Sequence, residues 1–133
     1  MYVSRFSISI EKELLEKLDE LTRDLRFPNR SRTIRYLIQQ ASLRQSQKEN
    51  KEMAGAIVLI YNHHQRELQS QATALQHDFH HLILSVQHVH LDHENCLETL
   101  AVKGKANELE DLAHALISIK GIQYGTLVIT GSM

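Results

Sequence analysis

The chain has 133 residues, a single cysteine, no tryptophan and a net charge of -1 at pH 7. That length allows one ordinary domain or two small ones, one cysteine excludes an intramolecular disulfide, and no apolar run approaches the roughly 20 residues needed to span a bilayer. With no apolar leader at its start, the chain is expected to be soluble and cytoplasmic with no membrane partner, and its near-neutral total charge by itself argues against nucleic acid.

Residues 2–10 end in strict alternation, with Phe6, Ile8 and Ile10 on one face and Arg5, Ser7 and Ser9 on the other, which predicts a half-buried strand. A helix follows, with Leu14, Leu15, Leu18, Leu21 and Leu25 at helical spacing and Glu11 and Glu13 near the positive end of its dipole. Phe27-Pro28-Asn29 breaks it, and Ser31 is expected to cap a second helix whose apolar stripe is Ile34, Leu37, Ile38 and Ala41. One strand and two helices bury too little to stand alone, and a lone strand leaves two unpaired edges. A second copy of the chain resolves both problems by pairing the two strands into an antiparallel ribbon backed by four helices.

In that dimer Arg5, Ser7 and Ser9 face outward on a ribbon that fits the major groove of double-stranded DNA. Arg30, Ser31 and Arg32, at the start of the second helix, are placed to hold a backbone phosphate. The charge distribution agrees. Residues 1–45 carry nine Lys/Arg and six Asp/Glu, net +3, the rest of the chain is net -4, and residues 26–35 hold four arginines and no acid. Over residues 4–44 this half resembles the ribbon-helix-helix family of transcription factors.

Residues 45–53 are polar and unpatterned, a linker or the frayed end of the second helix. The predicted organisation is therefore a DNA-binding domain over 1–46, a linker over 47–54 and a second domain over 55–133. In the second domain a buried strand is expected over 55–61, then His63 and His64 in a turn. A helix from about Gln65 carries Leu68, Ala72, Leu75, Phe79 and Leu82 on one stripe. A strand over 83–91, the turn Asp92-His93-Glu94-Asn95 and a strand over 96–102 follow. A helix over 107–120 buries Leu109, Leu112, Ala113, Leu116 and Ile119, Gly121 is its expected C-cap, and 124–130 is the last strand. Strand, helix, strand, strand, helix, strand is the split β-α-β order of ferredoxin-like folds, so the chain is predicted to be α+β, with one sheet face covered by two helices and the other bare.

Within this domain His88 and His90 alternate onto one face of a strand while Val89 and Leu91 are expected to point into the core. The turn that follows brings Cys96 back beside them. Any one of these residues would ordinarily be a surface histidine or a small buried thiol; together at a hairpin they point to a metal. Two imidazoles and a thiolate suit zinc, copper or nickel and suit magnesium or calcium badly, and His77 is the expected fourth donor.

A ribbon-helix-helix half followed by this module resembles the NikR family of nickel-responsive transcriptional regulators, along the whole chain. The most specific part is Gln76-His77, then His88-Val89-His90-Leu91-Asp92-His93-Glu94-Asn95-Cys96-Leu97-Glu98. The resemblance implies one nickel(II) per subunit, square-planar, with His88, His90 and Cys96 from one subunit and His77 from a neighbour. It also implies an ACT-type regulatory core, a homotetramer built as a dimer of dimers, a palindromic operator and repression of nickel uptake genes. One departure is visible: where the family commonly places acids for an additional cation, this chain has Arg32 and Tyr36, and Arg32 can supply that charge itself.

Two other classes are weighed. A zinc metalloenzyme could use Glu94 or Glu98 as base, but four protein ligands leave no place for substrate, and no phosphate loop, nucleophile elbow or metalloprotease motif is present. The prediction is therefore not an enzyme. The other is a repressor sensing another metal or a small molecule. His63, His64, His80, His81, His93 and His114 are read as surface residues.

Overall fold

The computed structural model describes residues 2–132, which divide between Ser42 and Leu43 into two compact units. The first holds α1 (Lys12–Asp24) and most of α2 (Arg30–Lys48). α1 closes where Arg26 takes a left-handed φ of 57°. The Arg26 N–H bonds the Arg23 carbonyl at 3.0 Å and the Phe27 N–H reaches back to Thr22 at 3.0 Å, so the exposed carbonyls of the last turn are satisfied. The cap of α2 differs from expectation. Asn29, not Ser31, supplies it: the Asn29 Oδ1 accepts the Arg32 N–H at 2.9 Å. An N-cap must lie just outside the first turn for its oxygen to reach the free N–H groups, and Ser31 is already helical.

The strand expected over residues 2–10 is not formed within the protomer, and Phe6 and Ile8 are 71% and 62% exposed. A strand needs a neighbour's N–H and C=O groups, and none of the described residues supplies them there. The helices show the same lack of a second layer. α1 has no buried residue, and Thr33, hydrogen-bonded to the Thr22 hydroxyl at 2.6 Å, is the one buried side chain among residues 2–42.

The second unit contains β1 (Glu52–Asn62), α3 (Arg66–Asp78), a single 3-10 turn (His80–Leu82), β2 (Ile83–His90), β3 (Asn95–Lys105), α4 (Ala106–Ile117) and β4 (Ile122–Ser132). The strands form one antiparallel sheet in the order β2-β3-β1-β4, the split β-α-β arrangement. The protein is thus α+β. Met53, Ile57, Leu59 and Tyr61 of β1 and Leu100 and Val102 of β3 pack with Leu68 of α3 and Leu109, Leu112 and Leu116 of α4 into one core. Because only one face is covered, β1 alternates between buried and half-buried residues instead of being buried throughout.

Several boundaries move for physical reasons. Within residues 47–54, α2 runs to Lys48, Asn50 turns left-handed at φ 55° with Lys51 N–H on the Ser46 carbonyl at 3.0 Å, and β1 begins at Glu52. Asn50 also accepts the Asn107 N–H at 2.8 Å, satisfying the first turn of α4, which has no side-chain cap of its own. α4 ends at Ile117, short of the expected Lys120, and Gly121 is not its C-cap. With φ 103° Gly121 starts the turn into β4, where a Cβ would strike Gln65 and Leu68.

Val89 and Leu91 are 40% and 52% exposed rather than buried in the core as expected, and Val89 stands on the uncovered side of the sheet. Val89 pairs with Leu97, Leu97 with Ile60, and Ile60 with Tyr124, so one apolar row crosses all four strands on the open face. Among the described residues, no helix is long and apolar enough to cross a membrane.

Replacing Asn29 by Ala should cost about 1 kcal/mol of stability, since it strips an N-cap. Chemical denaturation of the wild type and of Asn29→Ala measures this, with Ser31→Ala, predicted near zero, as the control.

Candidate metal centre and nucleic-acid interface

Strand register assembles the candidate centre. β2 and β3 pair His90 with Cys96 and His88 with Glu98, while β1 and β3 pair Tyr61 with Cys96. Residues directly opposed across antiparallel strands share a face. His88, His90, Cys96, Glu98 and Tyr61 therefore all stand on the helix-covered side of the sheet. β2 is an edge strand, so both imidazoles remain exposed while Cys96 and Tyr61 are buried. The His88 and His90 ring centroids are 6.1 Å apart, and the Tyr61 ring meets His88 edge-on at 5.9 Å.

The turn joining β2 to β3 is held by Asp92, whose Oδ1 accepts the Asn95 and Glu94 N–H groups at 2.7 and 2.8 Å. Those two bonds, Asn95's first, keep the Asp92 carboxyl below the usual carboxylate range. The hairpin that returns Cys96 to His90 is thereby built by the Asx turn that the sequence signals.

His77 stands apart from this group. It occupies the last turn of α3 and is exposed, next to His80, whose Nδ1 lies 2.9 Å from the His77 carbonyl. The residue before it, Gln76, points the other way: its Nε2 donates to Glu98 Oε1 at 3.0 Å. A step of about 100° around a helix separates neighbouring side chains, so with Gln76 turned to the sheet His77 faces outward. Among the described residues, no three His, Cys, Asp or Glu side chains converge closely enough to hold an ion within one chain. The donor set nevertheless fits a late transition metal by its chemistry, two imidazoles and a thiol on one face with a carboxylate beside them.

Burial raises the Cys96 thiol above its usual range, against a hydrogen bond with the Tyr61 hydroxyl that lowers it, and the Glu98 charge adds to the rise. Burial, then the hydrogen bond to Glu98, also keeps the Tyr61 phenol protonated far above its usual range. Reading residues alone missed Tyr61 and the His63 imidazole, whose ring lies 4.5 Å from His90 and 4.1 Å from His64. His63 and His64 both direct Nε2 to the His93 carbonyl, at 2.7 and 3.0 Å. Only the pairing of the ends of β1 and β3, Asn62 opposite Asn95, reveals that these turns meet.

In the first unit Arg5, Ser7 and Ser9 are exposed, as are Ser31 and Arg32. Arg30 is held by Asp19, Nε to Oδ1 at 2.8 Å and Nη2 to Oδ2 at 3.0 Å, which lowers the Asp19 carboxyl. Arg32 lies over the Phe27 ring at 5.4 Å, and Phe27 in turn meets Tyr36 edge-on at 5.5 Å.

Two family matches cover the two halves of the chain. Residues 4–45 match the ribbon-helix-helix protein, copG family, and residues 54–130 match the NikR C terminal nickel binding domain. The chain belongs to the NikR family of nickel-responsive regulators. A "Putative nickel-responsive regulator" of Syntrophus aciditrophicus is 46% identical over 97% of this chain and 94% of its own length. One of Chlorobaculum tepidum is 48% identical over 90% of each. Among solved structures the ACT domain of a GTP pyrophosphokinase from Chlorobium tepidum matches with a TM-score of 0.50 at 14% identity, over 58% of this chain and 99% of that domain. That likeness concerns the fold alone. NikR proteins are regulators, not enzymes, and the second unit is a nickel-binding domain of their kind.

Burial and the raised thiol lead to a direct expectation for the metal-free protein. Cys96 should react with iodoacetamide at least about tenfold more slowly than free cysteine at neutral pH, because the thiolate is the reacting form. Its rate should go on rising with pH beyond the point where a free thiol levels off. Unfolding in urea should abolish both differences.

Proposed function

We propose that this protein is a cytoplasmic, nickel-dependent repressor that binds a palindromic operator in double-stranded DNA and controls nickel uptake genes. The observation that carries the proposal is the shared row of His88, His90 and Cys96 on the helix-covered face, in a chain of the NikR family. These three residues bind one nickel(II) per subunit, with Cys96 as thiolate and both imidazoles neutral. His77, outward-facing on α3, completes the site of a neighbouring subunit. Bound there, nickel would supply a strong bond between subunits; the protein's part is to present the donors and keep the thiol out of water.

Assembly follows from two uncovered surfaces. In the first unit a groove of about 680 Å³ runs between Phe6 and Ile8 of the N-terminal arm and Ile34 and Ile38 of α2. The arm of a second copy fills it, creating the antiparallel ribbon, with Arg5, Ser7 and Ser9 reading base edges and Arg30, Ser31 and Arg32 at the phosphates. In the second unit the apolar row Val89-Leu97-Ile60-Tyr124 calls for cover from another regulatory module, giving a homotetramer as a dimer of dimers. A structural metal site can contribute on the order of 10 kcal/mol, against about 5.5 kcal/mol to switch a two-state equilibrium from off to on. Nickel can therefore select the arrangement in which both ribbons meet one operator.

Nickel-dependent operator binding should be lost in His77→Ala with the circular dichroism spectrum unchanged; a normal nickel response in that variant overturns the site. Arg5→Ala should weaken operator binding by about 1–3 kcal/mol with little loss on random DNA. Equal loss on both, read by fluorescence anisotropy at fixed salt, contradicts base reading by Arg5.

A further inference from the structure

Glu98 is the one buried acid among the described residues, 4% exposed. A carboxylate in that setting is costly unless its oxygens are paired, and an apolar residue of similar size usually serves stability as well. Both oxygens are paired, and the partners lie on different elements. Oε1 accepts the Gln76 amide at 3.0 Å and Oε2 accepts the Tyr61 hydroxyl at 2.8 Å. Gln76 immediately precedes His77 in the last turn of α3. Tyr61 faces Cys96 across the sheet and meets His88 edge-on, and Glu98 is itself the register partner of His88. One carboxylate thus fastens the helix end that carries His77 to the strands that carry His88 and Cys96.

The consequence rests on the assignment above, in which His88, His90 and Cys96 hold one ion while His77 serves the ion of a neighbouring subunit. The two ends of the Gln76-Glu98-Tyr61 bridge then belong to two different nickel sites. We propose that this bridge couples them, with Glu98 as a positioning residue: nickel captured at one site orders the donors of the next. Capture of His77 immobilises the last turn of α3 and with it the Gln76 amide. The amide fixes the plane of the Glu98 carboxylate, whose second oxygen holds Tyr61 against Cys96 and His88. The next ion meets donors whose ordering cost has already been met, which is positive cooperativity without a change of fold.

Titration of the full-length wild-type protein with nickel, followed by the thiolate-to-nickel charge-transfer band, tests this. The later ions should bind at least about fivefold more tightly than the first. Tyr61→Phe and Gln76→Met each cut one arm while leaving the volume nearly unchanged, and each should bring that ratio to about 1, with the saturated band in place. Exchanging the two polar groups, Gln76→Glu together with Glu98→Gln, rebuilds both hydrogen bonds: the amide now at position 98 donates to the carboxylate at 76 and accepts from Tyr61. The exchange should restore cooperativity, which a merely structural role for Glu98 does not predict.

A wild type that fills its sites independently overturns the coupling, as do single variants that keep the wild-type ratio. A wild type that shows no thiolate band on saturation overturns the nickel site and the coupling together. A normal band with unaltered cooperativity in the variants removes the coupling alone.

Discussion

The register between β3 and its two neighbours is the constraint on which the rest depends. It sets His90, Cys96 and Tyr61 in one row and His88, Glu98 and Leu59 in the next, all on the side that the helices cover. A slip of one residue would carry every one of these side chains to the opposite face. The register is pinned at one end by the Asp92 turn. Along its length it is held by the burial of Leu100 and Val102, which have the same parity as Cys96 and Glu98. Core packing and the candidate centre are thus one arrangement, and neither can be altered without the other.

The position of this row within the sheet matters as much as its register. β3 is central and β2 is an edge, so the same row runs from a buried thiol to exposed imidazoles over a few ångströms. The sulfur sits where water does not compete for it, and the nitrogens sit where an ion can arrive. Tyr61, protonated and hydrogen-bonded to Glu98, fills the inner end.

Both units are individually incomplete, each in its own way. The first offers a helix pair with one buried side chain among residues 2–42 and an N-terminal arm whose apolar side chains meet solvent. The second has a well-packed core but leaves a row of Val89, Leu97, Ile60 and Tyr124 uncovered. In both places apolar side chains of a regular pattern lie open to solvent within the protomer.

Much of this was legible in the residues. Helical spacing located α1, α3 and α4, the alternation of apolar residues and the Asp92-His93-Glu94-Asn95 turn located the hairpin, and the order of elements gave the split β-α-β sheet. His88 and His90 necessarily share a face because a strand repeats every two residues. Local periodicity, however, states that two faces differ without saying which one a helix will cover. Spacing alone points Val89 and Leu91 at the core, whereas in the structure the face carrying His88 and His90 is the one turned toward the helices. Caps and left-handed turns at Asn29, Arg26 and Asn50 depend on hydrogen bonds that close only once the ends of the helices are in place. The meeting of Gln76, Tyr61 and Glu98 joins residues up to 37 positions apart, and no spacing rule reaches that far. Sequence alone determined which elements form and which candidate donors each of them carries; tertiary structure decided which face is buried and which distant side chains meet, because pairing and packing act between segments and periodicity acts within them.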